Sequence, residues 1–172
     1  MALNVADAIE GGNIRLLKNS YTFRIVDVEF KYSAKTNNPM IQLTCELVRP
    51  ETIKIGNEVF KCAGMKTSFF IVLIEKQLGR IKEFYRKLEL PMGIINEEAP
   101  DLDIYRGLGF DAIAYSEEQK AKAENLDPDT GEVTEGNAIL DHEGKPIKRY
   151  QLRLDTILRR NKEVESAGGV PY

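Results

Sequence analysis

A period of two organises the first third of the chain. Tyr21, Phe23 and Ile25 share one parity, and Val26, Val28, Phe30 and Tyr32 continue on the other. Such a switch of phase is what a β-bulge produces, because one extra residue re-aims every later side chain. A long first strand that bends in this way suits a small barrel. A strand buried on both faces would read the same. Residues 33–39 form a polar turn. Ile41, Leu43, Cys45 and Leu47 then alternate with Gln42, Thr44 and Glu46, which predicts a second strand paired antiparallel with the first. After Pro50, a connection through Ile55, Gly56 and Asn57 leads to Val59-Phe60-Lys61 and to a third apolar stretch over 65–74. The period then changes. Leu78, Ile81, Phe84, Tyr85 and Leu88 recur at helical steps, with Lys82, Glu83, Arg86 and Lys87 between them. Pro91 is expected to end this helix. Residues 105–115 predict a fourth strand, in which Gly107 and Gly109 suggest a bend or a close backbone approach. Residues 148–158 predict the last strand, with Tyr150, Leu152, Leu154 and Leu158 opposite Arg149, Gln151, Arg153 and Arg159.

Between the last two strands, residues 116–146 hold two turn-like clusters and few apolar side chains. They read as a long acidic insertion, with a short charged helix expected over 117–125 and a hairpin formed by the excursion. At the start, Val5, Ala6, Ala8 and Ile9 allow one or two helical turns, stopped by Gly11 and Gly12. The tail, 161–172, is polar and expected to fray. The fold class predicted is mainly β: a five-stranded barrel with a helix between strands 3 and 4 and the acidic insertion between strands 4 and 5. That is the element order of the oligonucleotide-binding barrel, the OB-fold. An α+β sandwich uses the same elements. A single domain over 1–160, with the insertion inside it, fits a chain of 172 residues.

Chemistry is thin. Cys45 and Cys62 are the only cysteines, which suits buried, inert thiols in a reducing cytosol rather than a disulfide framework or a zinc site. His142, the only histidine, lies in a turn-like stretch, so a histidine-dependent nucleophile is not expected. There is no phosphate-binding glycine loop, dinucleotide fingerprint or His-Glu-x-x-His. An EF-hand loop begun at Asp127 would need glycine where Glu132 stands and glutamate where Ala138 stands. No cofactor, no metal and no enzymatic activity are expected. A metal-dependent nuclease built on Asp101, Asp103 and Asp111 has only their nearness in sequence behind it. No apolar run approaches the roughly 20 residues of a membrane span, and the N-terminus lacks a secretory pattern.

The net charge of −3 at first argues against a nucleic-acid partner. Its distribution reverses that argument. Residues 116–144 hold two basic and nine acidic side chains, and the remainder holds 22 and 18, a net of +4. A basic face is therefore allowed. Single-strand binders join a basic groove to exposed aromatics on which bases stack. The nucleic-acid-binding residues expected are Lys31, Tyr32, Lys35, Lys54, Lys66, Phe69, Tyr105, Arg106, Lys148, Arg149 and Arg153. One of Phe69 and Phe70 must face inward.

Several of these segments together resemble a known family. Leu17-Lys18-Asn19-Ser20-Tyr21 enters the first strand, which leads to Lys31-Tyr32-Ser33-Ala34-Lys35-Thr36-Asn37-Asn38-Pro39-Met40 and a strand of the Ile41-Gln42-Leu43-Thr44-Cys45-Glu46-Leu47 type. A helix ending Leu88-Glu89-Leu90-Pro91 and then Tyr105-Arg106-Gly107 follow. Over residues 17–115 this series resembles bacteriophage single-stranded DNA-binding proteins of the OB-fold type. The resemblance implies a non-catalytic protein that coats single-stranded DNA, without strong sequence preference, during phage DNA replication or recombination in the host cytosol. Its implied partners are single-stranded DNA, phage or host replication and recombination proteins, and further copies of itself. The acidic insertion departs from the pattern, and so does the tail, which lacks a run of acidic residues. The alternative reading is an OB-like adaptor or virion component that binds protein and no DNA.

Overall fold

The computed structural model describes residues 9–10, 14–120, 122–126, 133–138, 142–144 and 148–165. Its elements, in chain order, are β1 (Ile9–Glu10), β2 (Asn19–Tyr32), β3 (Pro39–Arg49), β4 (Thr52–Ile55), β5 (Glu58–Lys61), β6 (Lys66–Val72), α1 (Leu78–Lys87), β7 (Gly109–Lys120), β8 (Lys122–Leu126), β9 (Val133–Ala138) and β10 (Lys148–Arg160). The lead-in segment before Ile9, the turn at 127–132 and the tail from 166 lie outside the described residues.

Alternation builds the main sheet. In β3 every second residue from Ile41 to Leu47 is buried while Gln42, Thr44 and Glu46 stay half exposed. In β2 the buried set is Tyr21, Phe23 and Ile25, then Val28. The register against β3 shifts between Ile25 and Asp27, so Val26 is the extra residue of a bulge. This is the physical content of the phase switch in the sequence: Phe30 stays on the core side only because Val26 is skipped.

The five long strands form one antiparallel sheet in the order β10–β7–β2–β3–β6. The sheet curls until its edge strands, β6 and β10, come together, and the Thr67 hydroxyl donates to the Leu152 carbonyl at 2.7 Å. The result is a nearly closed five-strand barrel, an OB-like arrangement. Phe23 and Phe110 stack at 5.6 Å in its centre. Such a pair is worth about 1 kcal/mol beyond its buried area.

The amphipathic helix α1 lies in the chain between β6 and β7 and packs Ile81, Phe84 and Tyr85 inward. Phe84 stacks on Phe69 of β6 at 5.1 Å, which joins the helix to the sheet. Pro91 does not end the helix. The chain turns earlier, at Glu89, whose φ of 55° lies in the left-handed region. The Leu90 amide then reaches back to the Tyr85 carbonyl at 2.8 Å and the Glu89 amide to that of Arg86 at 3.3 Å. Those two bonds are the Schellman pattern, here with buried Leu90 as the apolar stop.

Two further differences from the sequence reading have simple causes. The connection after Pro50 is a small sheet of its own, in which β4 and β5 pair antiparallel and β1 adds to β5 in parallel. Its strands are four, four and two residues long, too short for periodicity to reveal. The fourth strand begins at Gly109 rather than at residue 105, because residues 103–107 turn before it. Where the sequence allowed a helix over 117–125, β7 instead runs on to Lys120, because β10 pairs with it there, and β8 pairs with β9 as a hairpin. Cys45 and Cys62 are free and buried; burial pushes the Cys45 thiol up to about 12 and raises that of Cys62. Among the described residues no helix is long and apolar enough to cross a membrane.

The chain past β10 is part of the fold as far as Glu165. Residues 162–164 make a turn of 3-10 helix, and Val164 is buried. A Cβ added to Gly109 would come within 2.3 Å of the Asn161 carbonyl oxygen and 2.6 Å of Val164, so glycine is required there by contact.

Candidate nucleic-acid interface

The outer face of β3 and β6 gathers the side chains that alternation turns away from the core. Cross-strand pairs put Lys31 beside Met40, Glu29 beside Gln42, Gln42 beside Phe70, Thr44 beside Ser68, and Glu46 beside Lys66. Gln42 donates to the Ser68 hydroxyl at 3.1 Å. Phe70 is 43 % exposed, and the Lys31 ammonium stands 5.7 Å from its ring centre. A half-exposed aromatic with a cation over its ring offers a platform to a flat, anion-linked ligand.

The sheet's curl extends this face. The Thr67–Leu152 bond sets β10 beside β6, with Thr67 and Leu152 both buried. Their neighbours on the other parity, Lys66 and Ser68 on β6 and Arg149, Gln151 and Arg153 on β10, therefore line the outside. Arg153 is held by Glu117 at 2.8 Å. The face is mixed rather than uniformly basic: Asp27, Glu29, Glu46 and Glu117 stand among Lys31, Lys66, Arg149 and Arg153. Beyond its end, the loop 33–38 carries exposed Lys35, and Tyr32 is exposed with its ring edge-on to Phe30 at 5.4 Å.

Of the residues expected to touch nucleic acid, Lys31, Lys66, Arg149 and Arg153 share this face, with Tyr32 and Lys35 at its margin. Two aromatics do not reach it. Phe69 is turned inward, stacked on Phe84 and capped by the Arg80 guanidinium at 5.8 Å. Tyr105 is 1 % exposed, its hydroxyl bonded to that of Tyr85, and burial raises its pKa. Tyr105 has no free surface for a base, and Phe69 is partly buried with its ring engaged by Phe84 and Arg80. Lys54 stands exposed on the small sheet, on β4. Arg106 is exposed and paired with Asp103 at 3.1 Å, in the turn before β7. Lys148 is the first residue of β10. Of the pair in which one ring had to face inward, Phe70 is the outward member, although Phe69 is the one the sequence reading expects to touch nucleic acid. A signal for it existed: Phe70 has the parity of Lys66 and Ser68, whereas Phe69 has that of Thr67 and Ile71.

Asp111 has another occupation than chemistry. It accepts from Thr22 at 2.8 Å, Asn161 at 2.9 Å and Arg159 at 3.1 Å. Burial opposes its ionisation, but the bonds from Asn161, Thr22 and Arg159 outweigh that and hold the carboxyl below its ordinary value. Asp101 and Asp103 are exposed in the connector, and among the described residues no group of three His, Cys, Asp or Glu side chains is placed to hold a metal. No family model, curated protein or solved structure matches the chain.

Proposed function

We propose that this chain is a non-catalytic single-stranded DNA-binding protein of the OB-fold type, which coats phage DNA during replication or recombination. The observation that carries the reading is Phe70. It is an exposed aromatic beside Lys31 on the outer face of the second and third barrel strands, the face on which barrels of this order take up oligonucleotides. A base stacks on Phe70, and the backbone phosphates run past Lys66, Arg149 and Arg153. Stacking works on any base, so sequence preference is weak.

Fluorescence anisotropy with a labelled oligo-dT at two salt concentrations tests this. Binding at low salt that weakens as salt rises is expected, since phosphate neutralisation releases counterions. Phe70→Ala removes a stacking contact worth roughly 1–3 kcal/mol, which is about 5- to 150-fold in affinity. Arg149→Glu with Arg153→Glu removes most of what remains. No binding at low salt rejects the proposal and leaves the protein-binding adaptor as the reading to pursue.

A further inference from the structure

A second surface is anomalous in a different way. Between α1 and the segment after Pro91 runs a groove of about 590 Å³. Leu78 and Met92, each 56 % exposed, and the fully exposed Ile94 line it together with Leu73 and Ile81. Single exposed apolar side chains are ordinary, but several converging on one concave site mark a docking surface. Its charges restrict the occupant. Glu75 and Glu97 line the groove with Lys82 as the cation, and exposed Asp101 lines the hollow that continues from it past Tyr85 and Ile94. Two copies of this patch would meet acid to acid, so a two-fold contact is disfavoured. The groove calls for an apolar knob with basic flanks.

The chain itself displays one. Leu17 is 74 % exposed, the most exposed large apolar side chain outside the groove among the described residues, and exposed Arg15 and Lys18 flank it. Lys18 also reaches Asp155 at 3.0 Å. The knob and the groove lie at opposite ends of the barrel. Leu17 just precedes the start of β2, whereas the groove begins at Leu73, whose amide bonds to Pro39 opposite Tyr32 at the end of β2. With β2 spanning 14 residues at roughly 3.3 Å each, one copy does not fill its own groove.

We propose that the groove receives the Leu17 knob of a second copy, so that copies join head to tail. A contact between two different surfaces does not close on itself after one step, and it adds further protomers into an open chain or, where the rotation closes, a ring. The contact is small and therefore weak in free solution. Where neighbouring copies lie on one DNA strand, which rests on the function proposed above, the same contact becomes intramolecular and binding becomes cooperative.

The test needs no DNA, so its failure is distinct from failure of the DNA reading. In sedimentation velocity from about 5 to about 200 µM protein, the average mass is expected to rise with concentration, and Leu17→Glu or Ile94→Glu to weaken association at least about tenfold. Both positions are exposed, so folding is unaffected. A mixture of Leu17→Cys and Ile94→Cys proteins is expected to cross-link on oxidation, while Ile94→Cys alone does not. A monomer at every concentration, association that survives both glutamate variants, or cross-linking of Ile94→Cys with itself would overturn the proposal.

Discussion

The two sides of the barrel are held by different means. On one side β2, β7 and β10 are joined by backbone ladders, and Thr22, Arg159 and Asn161 converge on the Asp111 carboxylate. Asn161 and Val164 press against Gly109 there, so the segment that follows β10 locks the start of the fourth barrel strand. On the other side β6 and β10 approach without a ladder, and the Thr67 hydroxyl bridges them. The proposed DNA face straddles this looser seam. If the proposed function holds, the one junction of the barrel that lacks a backbone ladder among the described residues lies beneath the DNA face.

Changes on the clamped side should therefore cost much stability and leave affinity alone, a change at the seam should loosen the fold only locally, and a change on the proposed binding face should move affinity. Gly109→Ala is the largest expected effect. Its methyl meets a backbone carbonyl and a buried valine, and overpacking of this kind costs roughly 3 kcal/mol. Thermal melting should show a drop of many degrees, with oligo-dT affinity unchanged below the transition.

Asp111→Ala comes next. It strands the Thr22 and Asn161 donors, for about 2 kcal/mol in chemical denaturation. The same carboxyl sets a pH dependence. Because its folded pKa is lowered, its contribution is complete above the unfolded value of about 3.9 and is lost as pH falls through the folded one. The native protein should lose stability steeply as the medium acidifies below about pH 4, and Asp111→Ala should flatten that slope.

At the seam, Thr67→Val removes the bridge to Leu152 at a cost of about 1 kcal/mol. Amide hydrogen exchange should quicken at the start of β10 while the ladder of β2 with β7 stays protected. The smallest effect sharpens the comparison from the binding side. Glu117→Gln releases Arg153 from a half-exposed ion pair worth under about 1 kcal/mol. Oligo-dT affinity at low salt should rise about two- to threefold. If Gly109→Ala abolished DNA binding in the folded state, or Glu117→Gln destabilised the fold, the division between the two sides would fail.

Much of this was legible in the residues. Alternation in 41–47, the helical recurrence from Leu78 and the change of phase within 21–32 are each long enough for side-chain period to report burial. Where runs were short, period was silent: β4 and β5 needed each other, and β1, to become a sheet. Tyr105 misled because an aromatic beside an arginine looks like a stacking pair, whereas its hydroxyl has a partner in Tyr85, twenty residues earlier in the chain. The Asp111 hub was out of reach for the same reason. Thr22, Asp111 and Asn161 are far apart in sequence, and only the meeting of three elements makes them neighbours.

The bulge at Val26 carries a last consequence, about which changes the chain can inherit. Val26 is 41 % exposed and stands outside the register of β2 with β3, so its side chain has little to satisfy. Its presence as a unit of length is another matter. Delete it, and either Phe23 and Ile25 or Val28 and Phe30 must turn to water. A scan of this strand should find position 26 indifferent to replacement and intolerant of loss: a letter free in identity and indispensable in the count.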